Sequence, residues 1–146
     1  MTLQIIFDKI SKFLENTDKN ITDLDFILND LDMSYLEPYQ EKINFNKDKY
    51  QRTLLLSNEF LDCFVLCWEP YQESPIHDHP EKGCIFKILK GQIQEDTYKD
   101  EKFIKCNLLS KNNISGINNK QGKHRMKCLH QQCISIHFYA PSGYYK

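Results

Sequence analysis

Two histidines set one residue apart, His77 and His79, lie in the run Ser74-Pro75-Ile76-His77-Asp78-His79-Pro80. In an extended strand successive side chains alternate faces, so both imidazoles point one way and Asp78 the other, which can present two ligands to one metal ion. A pair of surface histidines on an edge strand would have the same pattern, and spacing alone does not separate the two readings. The flanks favour the metal. Pro75 and Pro80 stiffen the chain on either side, Gly83 permits a turn, and Cys84 opens an apolar strand that closes at Lys90-Gly91.

The last apolar stretch, Cys133-Ile134-Ser135-Ile136-His137-Phe138-Tyr139, separates into two faces. Ile134, Ile136 and Phe138 form the apolar one. On the other, Ser135, His137 and Tyr139 can hydrogen-bond in a row if that face lines a pocket, although the same face could simply meet water. Gly122-Lys123-His124-Arg125 adds a histidine on a separate strand candidate. Three histidines from two strands can make a facial metal site with open positions. Imidazole suits zinc, copper, iron and nickel alike, so ligand type leaves the metal open. His130, beside two glutamines, reads as a solvent-facing loop residue.

Arginine use is a second signal. Of nineteen basic residues, only Arg52 and Arg125 are arginine. A planar fork that grips a carboxylate is a task lysine does poorly, and Arg52, at the start of a strand just after Tyr50, is placed to reach a pocket mouth. A surface arginine is the plain alternative.

The elements that must position these residues follow from periodicity. Leu3, Ile6, Phe7, Ile10, Phe13 and Leu14 recur at helical spacing and predict an amphipathic helix over 3–15. A second helix is expected after Thr22 as N-cap, with Leu24, Ile27, Leu28 and Leu31 on one side, and a third near Ser34, ended by Pro38 or carrying it in its first turn. From Ile43 the period changes. Strands are expected at 52–57, 60–68, 84–90, 92–98, 103–108 and 132–140, with weaker candidates at 114–119 and 122–129, and a Lys- and Asn-rich loop over 111–121. Helices followed by six to eight short strands predict a mainly β fold, a cupin-type barrel or two-sheet roll with N-terminal helices packed outside. The 146 residues are expected to form one domain, with a helical cover over about 1–43 and the barrel over about 44–146.

Composition narrows the function. Nineteen basic against twenty acidic residues, with no basic block, argue against nucleic acid or an anionic membrane as the main partner and for a small substrate. The first ten residues are broken by Asp8 and Lys9 and do not read as a signal peptide or membrane span, so a cytoplasmic protein is expected. Six cysteines contain no Cys-x-x-Cys pair and several fall inside apolar strands, the usage of reduced thiols in a reducing compartment.

Taken together, Tyr50-Gln51-Arg52, Leu66-Cys67-Trp68, Ser74 to His79, Gly83-Cys84, Gly122 to Arg125 and Ser135-Ile136-His137-Phe138-Tyr139-Ala140-Pro141 resemble the cysteine dioxygenase family in order and spacing. The resemblance covers roughly residues 34 to 141. It implies a cupin fold and a mononuclear Fe(II) held by His77, His79 and His124. It also implies that Arg52 and Tyr50, with Trp68 beside them, hold the substrate, and that Ser135, His137 and Tyr139 form a relay. Cys84 and Tyr139 would pair as a thioether crosslink, and Ala140-Pro141 would be cis. The implied reaction converts L-cysteine and O2 to cysteine sulfinic acid in a monomer. Another small thiol (3-mercaptopropionate or cysteamine) or a metal-binding cupin sensor without turnover are the alternatives. The family often continues after Ala-Pro, whereas Lys146 ends the sequence here, so Gly143, Tyr144 and Tyr145 must close that side of the pocket or leave it open.

Overall fold

The computed structural model describes residues 2–15 and 18–145. The first expected helix forms as α1, Leu3–Glu15, and buries Leu3, Ile6, Phe7, Ile10 and Leu14 along one stripe. Phe13 lies at the margin of that stripe and stays 43% exposed.

The next two segments are helical but wound as 3-10 turns, Ile21–Leu28 and Met33–Lys42. Ile21, Thr22, Asp23 and Asp25 are weak α-formers, so local propensity does not insist on an α-helix. Tertiary anchoring also sets the start: the Ile21 amide donates to the Lys82 carbonyl at 2.9 Å. Thr22 therefore sits inside the helix, and the N-cap position falls to Asn20, whose side chain makes no cap bond. In the third segment Asp32, not Ser34, is the cap, accepting the Ser34 amide at 2.9 Å. Pro38 is carried inside, next to a kink at Tyr39.

Eight strands follow: β1 Gln51–Ser57, β2 Asp62–Trp68, β3 Cys84–Lys90, β4 Gln92–Lys99, β5 Lys102–Ser110, β6 Ile114–Ile117, β7 Lys123–Cys128 and β8 Cys133–Tyr139. Both weak candidates are real, and β6 occupies the middle of the expected 111–121 loop. Among the described residues the strands form one sheet in the order β1-β2-β8-β3-β6 and another in the order β5-β4-β7, antiparallel throughout. The two sheets face each other, but their hydrogen bonding does not run on from one into the other. The cupin-type roll is open along its edges, and the link before β3 fastens onto β7 through bridges of Glu73 with Lys127 and His77 with His124.

Strand alternation sorts the larger sheet into two working faces. Cys63, Val65 and Cys67 of β2, Ile85 of β3, and Ile134, Ile136 and Phe138 of β8 join the helices in one core. Phe64, Leu66, Trp68, Cys84, Phe86, Ile88, Cys133 and Tyr139 turn the other way, toward Ile93, Met126 and Cys128 of the smaller sheet. Lys87 is the exception on the helix-facing side. It is 2% exposed, and its ammonium donates to the carbonyls of Leu28 at 2.9 Å and Asn29 at 2.8 Å at the C-terminal end of the first 3-10 helix. Among the described residues no helix is long and apolar enough to cross a membrane.

Candidate metal centre and its pocket

The space between the sheets collects the polar residues. His77 and His79 belong not to a strand but to the extended link before β3, where His77 makes a two-residue bridge to His124 on β7: amide to carbonyl 3.0 Å one way and 3.1 Å the other. His79 is fixed by a different device. Asn119 accepts the His79 amide at 3.0 Å and donates to its carbonyl at 2.9 Å, holding the backbone from both sides. On β7 the alternation turns His124, Met126 and Cys128 inward. The ligand nitrogens of His77, His79 and His124 all lie within 4.8 Å of one another.

Their hydrogen bonds fix which nitrogens are free. Nδ1 of His77 faces the Pro75 carbonyl at 2.8 Å, and Nδ1 of His124 faces Oε2 of Glu95 at 2.8 Å. Both partners accept, so in the neutral ring each Nδ1 carries the proton and each Nε2 a lone pair turned toward the cluster. These two Nε2 atoms face one another at 3.1 Å. Two lone pairs at that distance repel unless a cation lies between them. His79 has both ring nitrogens buried without a partner among the described residues. Burial, with the neighbouring histidines adding to it, pushes His77 down to about 4 and His79 down to about 2, so both are neutral at ordinary pH, as a ligand must be. The three imidazoles therefore fit a divalent transition metal.

Glu95, on β4, escaped the sequence reading. It is 2% exposed, accepts from His124 and also accepts the Ser115 hydroxyl at 2.9 Å. Such an outer carboxylate fixes ring orientation and raises ligand basicity. Its signal was available: Ile93, Glu95 and Thr97 share one face of the expected 92–98 strand, an apolar-side position unusual for a carboxylate. Asn119, in a loop between strands, left no comparable pattern.

Beside the histidines runs a hydrogen-bonded row on β8. The Trp68 indole donates to Ser135 Oγ at 3.1 Å, Ser135 Oγ lies 2.8 Å from His137 Nε2, and His137 Nδ1 lies 3.2 Å from the Tyr139 hydroxyl. In the tautomer where the serine proton goes to His137 Nε2, Nδ1 carries the ring proton and donates to Tyr139. The phenol proton is then free for the pocket. Burial first, and then the Arg52 charge, holds His137 well below its ordinary value, while burial raises Tyr139 well above its own. Neither changes protonation near neutrality. Cys84 on β3 stands directly opposite Tyr139 on β8, and burial pushes its thiol up, so it is protonated there.

Arg52 completes the site from β1. Its Nη2 donates to the Tyr50 hydroxyl at 3.3 Å, its guanidinium lies 3.8 Å from the centre of the Tyr145 ring, and its Nε is buried without a partner. Among the described residues no carboxylate pairs with it. Trp68 is wholly buried and stacks on Tyr50 with ring centres 4.4 Å apart, so it supports Tyr50 from behind. Tyr145 also packs edge-on against Tyr139 at 4.7 Å, and Tyr144 donates to Asp78, between the two histidines of the link. The residues after the cis Ala140-Pro141 bond thus close the side that the sequence left undecided. His130 is exposed and stands apart from the cluster, as expected.

A family model described as cysteine dioxygenase type I matches residues 4–144. Cysteine dioxygenase type 1 from Bos taurus is 30% identical over 107 residues, which cover 66% of this chain and 54% of that protein. The chain thus spans about half the length of that relative. The protein of the same name from Danio rerio is 26% identical over 154 residues, covering 96% of this chain and 75% of its own. Among solved structures, KdgF from Halomonas sp. superposes with a TM-score of 0.60 at 13% identity, covering 73% of this chain and 91% of that one. The Schizosaccharomyces pombe Cnp3 cupin domain gives 0.56 at 14%, covering 70% and 66%. At such identities these structures establish the fold alone.

Proposed function

The chain belongs to the cysteine dioxygenase type I family, and from that premise we propose that it oxidises L-cysteine with O2 to cysteine sulfinic acid, using Fe(II) held by His77, His79 and His124. The observation that carries the reading is the pairing of two unmet demands in one pocket. The facing Nε2 atoms of His77 and His124 call for a cation, and the Arg52 guanidinium, with its Nε buried without a partner and no carboxylate beside it among the described residues, calls for an anion. A cysteine with its carboxylate on Arg52 would answer the second demand, as iron held by the three histidines would answer the first.

Fe(II) bound there would supply the redox chemistry that places both atoms of O2 on sulfur, with sulfur giving up four electrons and dioxygen taking four. The protein's own residues orient. Arg52 and Tyr50 hold the carboxylate, with Trp68 keeping the Tyr50 ring in place. Tyr139 directs its free proton toward the reacting centre, and Ser135 and His137 fix that direction. Tyr145 and Phe64 keep water from Arg52 and Tyr139, which strengthens both contacts in a drier setting. The proposed setting is a cytoplasmic monomer.

Oxygen-electrode traces with iron-loaded protein and a thiol panel test the reading. Cysteine should be consumed with one O2 per thiol and yield the sulfinate, with 3-mercaptopropionate and cysteamine slower. No oxygen uptake with any thiol would leave a metal-binding cupin without turnover.

Cys84 and Tyr139 are proposed to join as a thioether, a bond between Sγ and the phenol ring formed as two protons and two electrons pass to dioxygen, which leaves as hydrogen peroxide. After aerobic turnover, tryptic mapping should find the Cys84 and Tyr139 peptides joined, lighter by about 2 Da than their sum and stable to reductant. Free alkylation of Cys84 in every molecule of such a sample would remove the crosslink from the mechanism.

A further inference from the structure

A second sulfur site lies at the other end of the roll. β7 ends at Cys128 and β8 begins at Cys133, one strand in each sheet, with only four residues between them. Both cysteines are fully buried, and their Sγ atoms stand 2.8 Å apart, well inside the contact distance of two non-bonded sulfurs. Six residues along β8 separate Cys133 from Tyr139, a rise of about 20 Å, so the pair has no part in the metal site.

The backbone holds the sulfurs together. The Cys128 amide donates to the Gln72 carbonyl at 2.9 Å, its carbonyl accepts from Tyr71 at 2.9 Å, and the Leu129 amide donates to Gln92 at 3.0 Å. Cys133 is paired with Trp68 in the ladder. The turn at Gly91 presses on the other side: a Cβ added there would stand 2.6 Å from the Cys133 sulfur and 2.6 Å from the Gln132 carbonyl. With φ of +82°, that position also needs a residue without a side chain. Both thiols reach the Gln131 carbonyl, at 2.8 Å from Cys128 and 3.4 Å from Cys133. Cys133 also reaches the Gln92 carbonyl at 3.2 Å and Cys128 the Trp68 carbonyl at 3.8 Å, so carbonyls surround the two sulfurs and keep them facing one another.

We propose that Cys128 and Cys133 are a reversible dithiol–disulfide site, closed by a low-molecular-weight disulfide and tying the two sheets together covalently. The pair sits at the base of the exposed His130-Gln131 turn, whose opening admits the small disulfide; the Cys133 thiolate attacks one of its sulfurs and releases the other as a thiolate. Cys128 then attacks the Cys133 sulfur, its proton passing to the second departing thiolate. Two protein thiols are oxidised, and one small disulfide is reduced to two thiols. The nucleophile is assigned to Cys133 because the Cys128 thiol donates to it, which lowers Cys133 and raises Cys128.

The chain's single tryptophan, Trp68, is the strand neighbour of Cys133 and gives a built-in reporter. Reduced wild-type protein is incubated without oxygen in 2-hydroxyethyl disulfide, a linear small disulfide, then quenched in acid, alkylated and digested with trypsin. Residues 128–146 form one tryptic peptide because no Lys or Arg interrupts 128–145. That peptide should lose both alkylation sites and about 2 Da, regaining both on reduction, whereas the Cys63, Cys67 and Cys106 peptides stay alkylated. Reductant reversal separates this bond from the thioether at Tyr139. Tryptophan emission should fall at least about twofold on oxidation and recover on reduction, since a disulfide quenches a neighbouring indole. In Cys128→Ser the internal bond and the emission change should both vanish. Full alkylation of both cysteines at saturating oxidant, a reaction that stops as a mixed disulfide on one sulfur, or an equal emission change in Cys128→Ser would each overturn the proposal.

Discussion

Replacing His124 by alanine is expected to leave the protein without retained iron and without measurable thiol oxidation. Each remaining imidazole would keep its geometry, but two ligands cannot replace the facial set that three provide, and Glu95 would lose the ring it orients. The graded companion is Glu95→Gln. The amide oxygen can still accept from Nδ1 of His124 while its NH2 donates to the Ser115 hydroxyl, so the packing survives while the negative charge that raises ligand basicity is gone. Metal affinity should fall by about 10- to 100-fold, the usual effect of losing an outer-sphere partner. Iron content after desalting, and Fe(II) affinity from competition with a chelator, read the two variants, with thermal melts confirming that both fold. Equal iron in wild type and His124→Ala would remove His124 from the centre. Unchanged affinity in Glu95→Gln would reduce Glu95 to a packing role.

The Arg52→Gln variant is expected to collapse the preference for cysteine over cysteamine. If the guanidinium grips the substrate carboxylate, its loss removes a charged hydrogen-bonded contact worth about 1.5 to 3 kcal/mol. That converts to roughly a ten- to hundredfold fall in kcat/KM for cysteine. Cysteamine has the thiol and the amine but no carboxylate, so it should start poor and lose little. The ratio of the two kcat/KM values, measured at matched iron content, is the discriminating quantity. The architecture around Arg52 complicates a simple fall in rate, because Tyr145 lies on the guanidinium and Tyr50 accepts from it. A general disturbance of these rings would lower both substrates together and leave the ratio unchanged. That outcome would place Arg52 in support of the fold and detach the cysteine assignment from it.

Much of this protein is legible in its amino-acid order because the relevant information is local. A 3.6-residue period marked α1, an apolar run bounded by turns marked β3, and a two-residue alternation in β8 put Ser135, His137 and Tyr139 on one face. His-x-His and the scarcity of arginine pointed to residues that the fold brings to one pocket. These signals survive because helix and strand periods belong to the backbone itself and need no partner to be read.

What only the tertiary structure decided are the pairings between distant segments. His77 and His79 converge with His124 through a two-residue bridge and an asparagine clamp, not through the strand that their spacing suggested. The Ile21 segment winds as a 3-10 helix because its start is tied to Lys82, sixty residues away, where weak propensities leave the choice to the anchor. Tyr145 rests on Arg52, Glu95 meets His124 across two strands, and Cys128 meets Cys133 where two separate sheets come together. None of these contacts has a period. Each depends on which strands lie side by side and on how two sheets stack, and that is set by the sum of many burial and hydrogen-bond terms spread over the whole chain.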